Sequence, residues 1–69
     1  MAYNYRKLLG RIREHGLTHK ELAAKIGVTH GTLSAKLNNK SDFTASDMDA
    51  ICSVLDIPEA EIGSYFFAS

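Results

Sequence analysis

Four side chains able to make hydrogen bonds, His30, Thr32, Ser34 and Lys36, recur within the stretch THGTLSAKLNNK. Leu33 and Leu37, an i, i+4 pair, mark the opposite, inward face of a predicted helix over residues 29–38. The polar four then face outward: an imidazole, two short hydroxyls and an ammonium. Groups of this kind suit base edges or phosphate oxygens. They do not by themselves make or break bonds.

Other chemistries find less support. His15 and His19 are four residues apart, but Gly16-Leu17-Thr18 interrupts any helix between them and no third ligand follows at a suitable spacing, so no metal is expected. Cys52 falls on an apolar helical stripe and reads as a small buried hydrophobe. No Ser-His-Asp set or carboxylate pair can be assembled, so neither an enzyme, nor a cofactor, nor a small-molecule ligand is expected.

The elements that must position the polar row are legible. Thr18-His19-Lys20-Glu21 is a capping box that starts a helix over 18–26. Leu22, Ala23 and Ile26 fall on one face of it, and Gly27 supplies a left-handed stop. Thr29 caps the next helix, and small Ala23 lets the two cross closely. The pair makes a helix-turn-helix, closed at Asn38-Asn39-Lys40 with Asn39 as a left-handed cap.

Tyr5, Leu8, Leu9 and Ile12 form the stripe of a first helix over 5–15, capped by Asn4 and ended by Gly16. Gly10 lies off the stripe without evident purpose. After a loop in which Phe43 plugs the core, Ser46 is expected to cap a fourth helix over 46–55, with Asp47 and Asp49 at its positive end and Met48, Ile51, Cys52 and Leu55 inward. Pro58 opens a fifth, short helix over 58–63, with Ile62 inward and Gly63 as its end. In the tail, 64–69, Tyr65, Phe66 and Phe67 either fold back near Tyr3 and Tyr5 or are buried against a second subunit.

Leu22, Ala23, Ile26, Gly27, Val28 and Leu33 at these spacings resemble the helix-turn-helix of the phage Cro/CI repressors, the XRE class, closely over 17–40 and loosely over 6–63. The resemblance implies an all-α, five-helix, lambda-repressor-like domain binding double-stranded DNA as a homodimer. The helix from Thr29 would enter the major groove by its N-terminal end, with His30, Gly31, Thr32, Ser34 and Ala35 at the bases. Thr18, His19, Lys20, Thr29, Lys36, Asn38 and Lys40 would meet phosphates. Two departures stand out. Ile12 and Leu37 occupy positions where many members carry an arginine and a glutamate joined as an ion pair, an exchange that is often neutral or stabilising. Position 36, usually apolar, is Lys36, which frees it for solvent or phosphate.

Length and charge agree with this reading. Sixty-nine residues suffice for one domain. The zero net charge conceals a division: residues 1–40 hold all eight Lys and Arg against Glu14 and Glu21, whereas residues 41–69 hold six acids and no base. Halves of +6 and −6 can turn a basic side toward a polyanion. A lone cysteine, no apolar run of ~18 residues and a start, MAYNYRK, without an apolar core lead us to expect a soluble, cytoplasmic protein. The alternatives are a protein-interaction module such as an antitoxin, and the DNA-binding part of a longer repressor.

Overall fold

The computed structural model describes residues 3–68. Among them five α-helices and one 3-10 turn occur and no strand: α1 (Arg6–Glu14), α2 (His19–Ile26), α3 (His30–Leu37), α4 (Ala45–Leu55), the 3-10 turn (Glu59–Glu61) and α5 (Ile62–Phe66). α2 packs on α3 and α4, and α5 on α1 and α4. The core that joins them is Leu8, Ile12, Leu22, Leu33, Ile51, Leu55 and Phe66, all essentially inaccessible to water.

Local chemistry sets the first three helices much as their sequence dictates. The Thr18 hydroxyl accepts from the Glu21 amide at 3.1 Å while the Glu21 carboxylate accepts from the Thr18 amide at 3.0 Å, so two helix-end donors are satisfied at once. Gly27 closes α2 at φ +81°, and the Thr29 hydroxyl accepts from the Thr32 amide at 3.2 Å to open α3. In α1, Tyr5 occupies the cap position, and Asn4 serves the helix from one residue further out by accepting from the Arg6 amide at 2.9 Å.

Asn39 holds φ +61° at the end of α3 and does more than terminate it. Its amide oxygen accepts from the Tyr3 N–H and its amide nitrogen donates to the Tyr3 carbonyl, both at 2.9 Å. The N-terminal segment is thereby clasped to α3.

Three expectations are corrected in the second half. The cap of α4 is Thr44, not Ser46: the Thr44 hydroxyl accepts from the Asp47 amide at 3.1 Å and the Asp47 carboxylate accepts from the Thr44 amide at 2.9 Å. Phe43 and Met48 flank this box at the positions of a hydrophobic staple, and both belong to the core packing. Pro58 precedes a 3-10 turn rather than opening an α-helix over 58–63, and Gly63 sits inside α5 instead of ending it. The expected tail is therefore helical as far as Phe66.

That helix settles where two of the aromatics go. Tyr65 and Phe66 are buried in their own chain, and of the three only Phe67 stays exposed. Phe66 and Tyr5 each meet Phe43 edge-to-face at 5.3 Å. Phe67 meets Tyr3 edge-to-face at 5.7 Å, and the Asn4 amide donates to the Ala68 carbonyl at 2.7 Å. Ser69 of the expected tail lies outside the described residues.

Two charged side chains brace the helices. Arg11 donates to the Leu55 carbonyl at 3.0 Å and the Asp56 carbonyl at 2.9 Å, capping the negative end of α4 with a cation. Lys36 does not face solvent or phosphate as its position led us to expect. It turns inward, three residues after Leu33, and pairs with Asp47 in a bridge whose side chains are 13% and 12% exposed. Burial pushes the Asp47 carboxyl up, but the Lys36 ammonium and the Thr44 amide and hydroxyl outweigh it and hold its pKa below the ordinary value.

A folded-state pKa below the unfolded one gives stability that is present above about pH 4 and lost as the carboxylate takes up a proton in acid, where the unfolded chain binds more protons. Asp47→Asn should cost about 2 kcal/mol at neutral pH, by stranding the Lys36 ammonium, and should make the acid limb of a stability curve shallower in chemical denaturation. At Gly10, by contrast, an added Cβ would meet no heavy atom within 4 Å. Gly10→Ala should therefore stabilise the fold by roughly 0.5–1 kcal/mol, seen as a raised melting temperature.

Candidate nucleic-acid interface

The polar row begins where α3 leaves its cap. Thr29 lies in extended backbone at φ −77°, ψ 158°, and the helix starts with His30, so the amides of its first turn point away from the helix body. His30, Gly31 and Thr32 are all exposed there. The Thr29 hydroxyl donates to the Thr32 hydroxyl at 2.8 Å, which leaves the Thr32 hydrogen free to donate outward. Gly31 has open space where a Cβ would stand, so packing does not require a glycine at that position.

Further along α3 the row loses exposure. Ser34 and Ala35 are half-buried, and Lys36 belongs to the bridge with Asp47. Of the residues expected at bases, the structure thus brings His30, Gly31 and Thr32 together at one protruding end and sets Ser34 and Ala35 behind them. Asn38, expected at a phosphate, is exposed but folds its amide back onto α3, donating to the Ser34 carbonyl at 2.9 Å. Lys40 is exposed beyond it.

The start of α2 offers a second set. Thr18 and Lys20 are exposed and His19 is half-buried. The Glu21 carboxyl is held below its usual pKa by the Thr18 amide first and the Thr18 hydroxyl side second, so it stays charged and bound to the cap. The buried interface behind both helix starts is Leu22, Ala23 and Leu33, each 1% exposed or less. Ala23 lets the helices approach, and that contact fixes how far the start of α3 stands out from α2.

Sequence reasoning missed what holds α3 from behind. The Lys36–Asp47 bridge ties its last turn to the first turn of α4, and the Asn39 clasp ties its end to Tyr3. The helical spacing of Lys36 from Leu33 carried the signal for the first; the second joins residues 36 apart and has no local signal.

Elsewhere the described residues gather no three His, Cys, Asp or Glu side chains around a point where a metal could sit. His15 turns instead to Asp56, with Nε2 3.7 Å from the carboxylate. No helix of the described residues is long and apolar enough to cross a membrane.

No curated protein matches the chain. A family described as Protein of unknown function (DUF739) matches it over residues 1–69. With its whole length covered by that match, the chain belongs to the DUF739 family.

Proposed function

We propose that the chain is a sequence-specific, double-stranded DNA-binding transcriptional regulator of the Cro/CI type, a phage or prophage repressor acting as a cytoplasmic homodimer. The observation that carries this reading is the exposed start of α3, with His30, Gly31 and Thr32 standing out from a tightly buried α2–α3 contact. A helix presented this way can enter a major groove end-on. His30 and the free Thr32 hydrogen serve base edges, and Gly31, which the fold does not require to be glycine, lets the helix approach closely. Thr18, His19, Lys20, Thr29 and Lys40 meet phosphates on either side. Lys36 is withdrawn from that set because its ammonium is already paired.

Size supports a dimer. The longest extent of the Cα trace is 26 Å, shorter than the ~34 Å between successive major-groove faces, so one protomer covers a single half-site. With Tyr65 and Phe66 spent in the core, the dimer contact falls to Phe67 and its neighbour Tyr3, 51% and 38% exposed. An exposed ring pair of this kind can meet its own copy across a two-fold axis, the self-complementary contact that such dimers use.

Binding to double-stranded DNA should weaken steeply as salt rises, and selection from random duplexes should return a two-fold site. His30→Ala should change the selected sequence, while Lys40→Ala should weaken all sequences alike and lower the salt slope by about 0.9. Binding indifferent to salt would sink the reading and favour a protein partner. Phe67→Ser should shift the dimer toward monomer in sedimentation, while costing the monomer fold itself only about 1 kcal/mol in chemical denaturation, from the lost ring contact with Tyr3.

A further inference from the structure

Two arginines on α1 have opposite fates. Arg11 turns toward α4 and caps its C-terminal carbonyls. Arg13, two residues on and so about 200° around the helix, faces the other way. It lines a groove of about 260 Å³ with Leu9 and Ile12 of α1 and with Leu17, Thr18 and His19 at the entry to α2. The groove has an apolar floor and a polar rim. Among the described residues the ion pairs are Arg11–Glu14, His15–Asp56 and Lys36–Asp47, so the Arg13 guanidinium meets no carboxylate there. Glu21, the acid nearest in sequence on α2, is turned to the Thr18 amide. The rim of this groove is thus rich in donors, and the carboxylate beside it, Glu21, is already held by Thr18 and leaves Arg13 without an ion-pair partner.

We infer that Arg13 is a further phosphate-contacting residue, gripping one DNA backbone phosphate in this groove together with Thr18 and His19. The inference rests on the DNA-binding reading above and adds to it a contact from α1, where that reading placed none. A guanidinium can take two phosphate oxygens at once through its planar fork, whereas the His19 ring and the Thr18 hydroxyl each offer one bond. A contact of this kind carries no sequence information. It fixes register, by setting how far α2 lies across the backbone when the start of α3 is in the groove.

The test measures DNA affinity against salt for the full chain and for Arg13→Gln, Arg13→Lys and Arg6→Gln, the last removing an exposed charge at the far end of α1. Arg13→Gln should weaken binding to all duplexes roughly tenfold, as loss of one charge-assisted bond would, and lower the salt slope by about 0.9. Arg13→Lys should keep the slope but recover only part of the affinity, since it restores the charge and not the fork. Arg6→Gln should leave the slope unchanged. The contact is overturned if Arg13→Gln keeps the wild-type slope, or if Arg6→Gln lowers it as much, which would leave only general electrostatic attraction. A wild-type chain that binds no duplex overturns the DNA-binding reading and this contact with it. Equal thermal unfolding of the variants excludes a folding defect as the cause.

Discussion

Everything useful in this small domain depends on the contact of Leu22 and Ala23 with Leu33. It is dry, it contains a residue with almost no side chain, and it fixes the distance between two short helices. Isolated helices of eight residues are unstable in water, so α2 and α3 exist because this face is buried. The same contact decides that the other face of α3, beginning at His30, is turned out. A larger side chain at position 23 would act on the presented residues without touching any of them.

The first half of the fold was legible because its signals are local. Thr18 with Glu21, Gly27 and Thr29 each act within four residues, as does the backbone of Asn39, and each sits in the structure where local chemistry puts it. The start of α4 shows where such reasoning runs out. Thr44 with Asp47 and Ser46 with Asp49 have the same spacing, so the capping rule alone cannot choose between them. Phe43 chooses: its burial beside Met48 makes a staple around the Thr44 cap, and no such apolar pair flanks Ser46. At the end of the chain, Gly63 looks like a stop by propensity, which is worth only about 1 kcal/mol. Burying Tyr65 and Phe66 outweighs that, and the helix runs through the glycine.

The candidate interface divides along the same line. His30, Gly31 and Thr32 could be found from sequence because they follow a cap directly. Lys36 reads as outward once Leu33 and Leu37 are taken as the inner face, although its spacing from Leu33 also allows the inner side, where the structure has it. A charged residue on the buried side of a helix is tolerable only with its partner present, and Asp47 is also the residue that completes the cap of α4. One carboxylate therefore sets both the start of α4 and the tilt of α3. Arg11 repeats the device at the other end of α4. Of the eight basic side chains, these two build the scaffold.

The clasp between Asn39 and Tyr3 bears on how freely this position could change through descent. Left-handed backbone at the end of a helix favours glycine, and a side-chain amide can pair at once with the N–H and the C=O of one residue, here Tyr3. Asparagine satisfies both requirements. Glycine would relax the backbone and release the N-terminal segment; glutamine could reach the segment but would resist the backbone angle. Two unrelated requirements therefore fall on one side chain, and a lineage that lost it would need both another residue for the backbone angle and another hold on Tyr3.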